Sequence, residues 1–288
     1  MKILVLGAGG MAGHVIALSL KEKGHSVTGL ARRNLFFCDT ITGDAGDVEM
    51  IKNLCSRNFD AIINAIGILP VEINVNLYNG VWLNSCLPHL LVKLNENNKT
   101  RIIHMSTDCV FSGHDNGGYD EKSFCSADDY YGRSKHLGEL NDNKNLTFRM
   151  SIIGPDINES GVGLFNWFMK QNSEATGFRR AIWTGVTTIT LADAIDAALE
   201  QELTGLYHLV NNDVINKYEL LKLFNRLKVE PITIIPSDDY DVDKSMVNTR
   251  KDFQFDVPTY SDMICGIKEW IKKHREFYPQ YNCVETVF

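Results

Sequence analysis

Tyr131 and Lys135 stand four residues apart in the run Tyr130-Tyr131-Gly132-Arg133-Ser134-Lys135. Residues at i and i+4 share one helix face, so the phenol and the ammonium can enter one site. A phenol titrating near ~10 exchanges protons poorly at neutral pH. A neighbouring cation favours the phenolate and lowers that pKa, which is how a tyrosine becomes a general acid–base. The same spacing also describes an ordinary exposed helix pair, so its meaning depends on what lies upstream. There Ile102-Ile103-His104-Met105 reads as a buried strand that delivers Ser106-Thr107-Asp108. In open α/β sheets ligands bind outside the carboxyl ends of the strands. Thr107 is therefore placed to hydrogen-bond a substrate carbonyl. His104 alternates with apolar neighbours and reads as a core histidine.

The elements that must position these groups begin at the first residue. Residues 2–6 form an apolar strand that enters Gly7-Ala8-Gly9-Gly10-Met11-Ala12-Gly13, and an amphipathic helical pattern follows as far as Gly24. Glycines at a strand-to-helix turn let the backbone approach a pyrophosphate, and the helix N-terminus supplies N–H groups and a positive dipole end. The spacing Gly7-x-x-Gly10-x-x-Gly13 thus points to a dinucleotide. A second strand, residues 26–30, ends in Ala31-Arg32-Arg33. An acid there would favour NAD, whereas two guanidiniums suit a 2′-phosphate and favour NADP(H).

Asp44 could contact adenine, and Asp47 could cap a helix over residues 48–56. A buried strand at 61–64 ends in Ala65-Ile66-Gly67, where small residues leave room for the cofactor ribose. One long helix is expected over residues 80–95, with Asn84 in mid-helix either bonding toward the site or satisfying a kink. A strand at 146–150 ends at Ser151-Ile152-Ile153. An aromatic-rich segment at 163–170, helices at 191–200, 217–227 and 260–274, and a strand at 205–210 complete the pattern.

Composition bounds the function. With 288 residues, 44% hydrophobic and 23% charged, the chain has ample core for one large or two modest domains. A net charge of −7 argues against a general nucleic-acid binder, and an anionic substrate would need a local basic pocket. No apolar run approaches the ~20 residues of a membrane span, and residues 1–6 are too short for a signal peptide. The seven cysteines include no Cys-x-x-Cys pair and read as reduced thiols of a cytoplasmic protein. The Asn-x-Ser/Thr triplets at Asn98, Asn145 and Asn158 are then chance matches. The eight histidines lack metal-ligand spacing, so no metal is expected.

The glycine turn, Ser106-Thr107-Asp108 with Val110-Phe111, Tyr119-x-Glu121, Tyr131-Gly-x-Ser-Lys135 and Gly138-Glu139 resemble the extended short-chain dehydrogenase/reductases. Within these, Arg149-x-Ser151, Trp183-x-Gly-Val-Thr-Thr188 and Gly205-Leu-Tyr-His208 are similar to the dTDP-4-dehydrorhamnose reductase group. The resemblance implies an α/β fold, a Rossmann-type doubly wound parallel sheet with a smaller, partly interleaved C-terminal substrate domain. Residues 1–150, completed by segments around 181–210, would bind NADP(H), and residues 151–288 would bind substrate. It implies catalysis by Thr107, which polarises the carbonyl, Tyr131, which donates a proton, and Lys135, which binds the nicotinamide ribose and lowers the Tyr131 pKa. It places cofactor contacts at Gly7, Gly10, Met11, Gly13, Arg32, Arg33, Asp44, Ala65, Ile66, Gly67, Ser106, Lys135, Ser151 and Ile153. Substrate contacts would come from Thr107, Asp108, Val110, Tyr131, Trp183 and Thr187.

The implied reaction is NADPH-dependent reduction of a nucleotide-linked 4-keto-6-deoxy sugar in surface polysaccharide precursor synthesis. The implied partners are that nucleotide sugar and a second copy in a homodimer, with no nucleic acid and no membrane. Cys109 stands where the group has tyrosine, and Ile68-Leu69-Pro70-Val71 also departs from its pattern. dTDP-4-dehydrorhamnose and a UDP-linked 2-acetamido-4-keto-6-deoxyhexose both remain open as substrate. An NAD-retaining epimerase or dehydratase, and a non-catalytic NADP-binding regulatory subunit, are the alternatives. The missing acid after the second strand and the intact Thr107, Tyr131 and Lys135 weigh against them.

Overall fold

Successive residues of a strand face opposite sides of a sheet. In the computed structural model, which describes residues 1–281, strand β1 (Lys2–Leu6) sends Ile3 and Val5 into one apolar core and Leu4 and Leu6 into another. A strand covered on both faces must be apolar throughout, and that is why these short segments read as continuous hydrophobic runs.

The first half alternates strands and helices: α1 (Met11–Glu22), β2 (Ser26–Ala31), β3 (Asp39–Thr42), α2 (Val48–Cys55) and β4 (Ala61–Asn64). Asp47 caps α2, its carboxylate accepting from Met50 N at 3.1 Å. The helical stretch expected over residues 80–95 is broken. After the short α3 (Pro70–Val75), it comprises the end of α4 (Leu77–Val81), a π-helical turn at Trp82–Cys86 and α5 (Leu87–Leu94), with the π turn as the interruption. Then come β5 (Arg101–Ser106), α6 (Tyr130–Leu137) and β6 (Leu146–Arg149).

The second half holds the short strands β7 (Ile152–Ile153), β8 (Glu174–Phe178), β9 (Ala181–Trp183) and β10 (Val186–Thr187), with α7 (Leu164–Met169) between β7 and β8. It continues through α8 (Thr188–Glu200), β11 (Gly205–His208), β12 (Ile215–Asn216), α9 (Lys217–Asn225), β13 (Thr233–Ser237), β14 (Val242–Asp243) and α10 (Tyr260–Lys273).

The main sheet has seven strands in the order β11-β6-β5-β4-β1-β2-β3, all parallel. Strand order therefore reverses between β1 and β4, and the crevice at that switch point opens beside Gly7 and Ala65. One core packs α1, α8 and α10 on the sheet, and the other packs α2 and α5. The remaining strands make three small sheets, β7 with β10, β8 with β13, and β9 between β12 and β14.

At the switch point the turn after β1 has no space for a side chain at Gly7 or Gly13. Gly7 has φ +78°, and a Cβ on Gly13 would lie 2.1 Å from the Gly7 carbonyl oxygen. Helix α1 thus approaches β1 at backbone distance. His14, fully buried in α1, braces this turn: Nδ1 donates to the Gly10 carbonyl at 2.9 Å and Nε2 accepts from the Tyr278 hydroxyl at 2.7 Å. Burial lowers the His14 pKa to about 4, so the neutral ring can play both parts.

A buried ion pair fixes α6 against the sheet. Arg149, at the end of β6, reaches Glu139 with Nε to Oε1 at 2.8 Å and with its terminal nitrogen to Oε2 at 2.6 Å. The Ser106 hydroxyl donates to the same carboxylate at 2.6 Å. Arg149 also donates to His208 Nε2 at 3.0 Å, and His208 Nδ1 donates to the Val247 carbonyl at 3.0 Å. Three neighbouring strands, β5, β6 and β11, are thereby joined to the residue just past α6. Although burial opposes ionisation, Arg149, His136 and Ser106 hold the Glu139 carboxyl down at about 2.

Two consequences can be measured. Gly13→Ala should overpack the turn and destabilise the protein by about 1–3 kcal/mol in urea unfolding. Gly266→Ala, in α10 where nothing lies within 4 Å of the added carbon, should stabilise it by up to about 1 kcal/mol. Glu139→Gln leaves Arg149 buried without its counter-charge and should lose about 3–5 kcal/mol. Because the folded pKa of Glu139 is depressed, its contribution is complete above the ordinary carboxylate value of 4.5 and fades as pH falls toward about 2. The variant should lack that part of the acid-unfolding profile, and an unchanged profile would refute the assignment.

Candidate active site

The cofactor crevice is built by the ends of β1, β2 and β4. Gly10 caps α1 with no side-chain bond, and the first turn of α1 carries no acid. Its N–H groups and dipole therefore face the crevice uncompensated, as an anion requires. Across the switch point Ile66 and Ala65 lie against Gly7, and Gly67 follows them. Arg32 and Arg33 are exposed just beyond β2. Arg33 donates to Asn158 Oδ1 at 2.6 Å, and Asn158 Nδ2 donates to the Gly9 carbonyl at 3.2 Å. Asn158, noticed in the sequence only as a chance triplet, thus straps the loop after β7 over the glycine turn. Met11 touches Gly163 of the same loop. Beside Arg33 lies a cavity of about 640 Å³, whose walls include Phe36, Ile157 and Phe277. Asp44 is exposed, and its carboxylate accepts from Gly46 N at 2.7 Å. These features suit a dinucleotide carrying an additional phosphate.

The groups expected to react lie around the end of β5. Thr107 and Asp108 are buried and begin a single 3₁₀ turn over Asp108–Val110. The Thr107 hydroxyl accepts from Cys109 N and donates to Asp108 Oδ1, both at 3.1 Å. Helix α6 starts at Asp129, whose carboxylate accepts from Gly132 N at 2.7 Å, and this cap sets the rotation of Tyr131 and Lys135. Lys135 is 3% exposed and donates to the Met105 carbonyl at 2.6 Å, with His104 Nε2 at 3.5 Å. Burial brings the Lys135 pKa down to about 8. His104 is fully buried beside Asn64, and burial and the Lys135 charge hold it well below the ordinary histidine range, so it is neutral.

Tyr131 departs from the expectation that Lys135 lowers its pKa. Burial pushes the phenol well above its ordinary value, the neighbouring Cys109 and Asp108 push the same way, and the Thr107 hydroxyl pulls it back. The lysine exerts no comparable pull because its ammonium is directed to the end of β5.

The helix wall is held by Asn84, whose side chain bonds outside its own helix and not to a kinked backbone group within it. It lies in the π-helical turn and also bonds toward the site, exchanging hydrogen bonds with the Ile68 backbone at 2.8 and 3.0 Å. Its amide donates to Ser134 of α6 at 3.0 Å.

The residues expected on the substrate side are divided. Trp183 is buried, with Tyr260 at 5.7 Å between ring centroids and the Lys217 ammonium 4.9 Å over its ring. Thr187 is 1% exposed and its hydroxyl caps α8, accepting from Thr190 N at 3.2 Å. Val110 is fully buried in a small core with Phe111, Tyr119, Val210 and Met246, so its side chain faces protein. Ser151 accepts Val186 N at its carbonyl at 3.0 Å, and Ile153 lies in the larger core. Cys109 holds a neutral thiol, pushed up to about 12 by burial and by Asp108. Lys217 entered the sequence reading only as the start of a helix.

Cys125, His136 and Glu139 approach within 4.8 Å of one another, but Glu139 is already bidentate to Arg149. The six described cysteines are free thiols, and Cys283 lies outside the described residues. Among those residues no helix is long and apolar enough to cross a membrane.

Comparison with known proteins identifies the family and the fold. A relative from Haloferax volcanii, named probable low-salt glycan biosynthesis reductase Agl14, is 32% identical over 143 residues, which span 48% of each chain. The dTDP-4-dehydrorhamnose reductase of Salmonella typhimurium is 29% identical over 220 residues, 73% of this chain and 72% of the relative. A crystal structure of dTDP-4-dehydrorhamnose reductase from Bacillus anthracis in complex with NADP has the same fold. Its TM-score is 0.79 at 17% identity, covering 94% of this chain and all of that one. The family model described as RmlD substrate binding domain matches residues 1–246, and the chain belongs to that family.

Proposed function

We propose that this protein is an NADPH-dependent oxidoreductase that reduces the 4-keto group of a nucleotide-linked 4-keto-6-deoxy sugar. The observation that carries the reading is the meeting of Thr107, Tyr131 and Lys135 at the carboxyl end of β5, beside the glycine turn at the switch point. Residues 1–150 would hold the cofactor, and residues 151–288 would supply the sugar-side wall.

NADPH, when bound, supplies the hydride. Its pyrophosphate would rest on the Gly7–Gly13 turn, and Arg32 and Arg33 would take the 2′-phosphate, Arg33 exchanging its Asn158 partner. Thr107 donates a hydrogen bond to the carbonyl oxygen and so favours negative charge developing there. Tyr131 keeps its proton at neutral pH because burial raises its pKa, which suits a donor to the forming alkoxide. The phenolate left behind is favoured by the Thr107 hydroxyl, and the Lys135 ammonium would hold the nicotinamide ribose. The exposed arginines after β2, with no acid at the end of that strand, favour a reductase that exchanges NADPH over an enzyme that retains NAD. dTDP-4-dehydrorhamnose and a UDP-2-acetamido-4-keto-6-deoxyhexose are the two substrates this reading admits.

The test is loss of reduced-nicotinamide absorbance with NADPH or NADH and each freshly prepared keto sugar. Wild type should turn over one sugar and prefer NADPH. Tyr131→Phe should lower kcat by roughly 10²–10⁴-fold with little change in NADPH affinity. Turnover undiminished in Tyr131→Phe, or no turnover with either sugar, would overturn the proposal.

A further inference from the structure

Lys217 opens α9, where an ammonium opposes the positive end of the helix dipole. It is half-buried and lies 4.9 Å over the ring of Trp183. Its neighbour on the helix, Lys222, is paired with Glu219 at 2.9 Å, but Lys217 has no hydrogen-bond acceptor among the described residues. Trp183 is 3% exposed, and its indole N–H is likewise without a partner among them. A cation placed against its helix dipole, partly desolvated and unpaired, lowers stability. Its position gives a reason to keep it. The carboxylate whose charge acts on Lys217 is that of Asp108, the residue that follows Thr107. Lys217 is therefore brought from the second half of the chain to the edge of the reacting site.

We infer that Lys217 binds the diphosphate of the nucleotide sugar, an assignment that rests on the reductase reading above and adds to it. The protein carries a net charge of −7, so a dianionic ligand needs a local cation at its seat. An ammonium is a compact point charge suited to phosphate oxygens. The Trp183 face holds the ammonium itself and keeps water from one side, which strengthens the attraction. Lys244 acts on Cys109 and is the natural control for a merely general positive field.

Binding of UDP and of dTDP to the full-length protein is measured by titration calorimetry, with NADP+ binding measured alongside. Lys217→Met removes the ammonium and should weaken the preferred nucleoside diphosphate by roughly ten- to a hundredfold. Lys217→Arg should retain most of the affinity, and Lys244→Met should change it little. NADP+ affinity should be unaffected in all three, which reports correct folding. In wild type the bound nucleotide should perturb Trp183 fluorescence, and Trp183→Phe should abolish that signal. Unchanged nucleotide affinity in Lys217→Met overturns the assignment and leaves the reductase reading intact, even if turnover of the sugar falls. Equal losses in Lys217→Met and Lys244→Met also overturn it. If wild type binds neither UDP nor dTDP, the reductase reading falls together with it.

Discussion

The bidentate pair between Glu139 and Arg149 is the interaction on which the candidate site depends. Both side chains are almost wholly buried, 6% and 3% exposed, so neither charge can rely on water. A buried pair seldom adds net stability over apolar packing, because desolvation offsets the attraction. What it adds here is position. The carboxylate takes both arms of the guanidinium and the Ser106 hydroxyl, and the guanidinium continues to His208 and lies 5.1 Å over the Phe111 ring. Phe111 is itself stacked on Tyr119 at 4.1 Å. The strand carrying Thr107 and the helix carrying Tyr131 and Lys135 are thus locked in one frame. A shift of α6 along the sheet would break several charged hydrogen bonds at once.

Within that frame burial acts on the two titratable groups in opposite directions. It raises the phenol of Tyr131 and lowers the ammonium of Lys135 to about 8, moving each toward its neutral form. A proton donor that must hold its proton until substrate arrives benefits from the first shift. A lysine close to neutral pH is sensitive to any new charge nearby, so ligands entering the crevice can reset it. The Met105 carbonyl and neutral His104 keep that lysine in place without giving it a counter-charge.

Much of this was legible in the sequence, because its causes are local. The apolar strand, the glycine turn, the Asp47 cap and the Tyr131–Lys135 spacing each follow from a few consecutive residues. What was not legible depends on partners far along the chain or on one extra residue. The π-helical turn at Trp82–Cys86 keeps an apolar helical appearance, and only Asn84 within it hinted at a second role. Lys217 and Asn158 meet the site through folding of the second half, which no local pattern encodes. Thr187 carries a local signal as well: a threonine just before an apolar helical run is an N-cap signal, and its hydroxyl caps α8.

The place of β11 in the sheet bears on how the chain comes to be folded. β11 pairs with β6, and its His208 accepts from Arg149, yet residues 150–204 must be made before it can arrive. Until then β6 is an edge strand, with unpaired backbone groups and a buried-type arginine lacking one acceptor. During synthesis the N-terminal half is therefore a sheet waiting for its last strand, prone to pair with a neighbouring chain. Closing such a long-range parallel contact is slow. The main sheet thus joins strands from both sides of residue 150 into a single unit of folding.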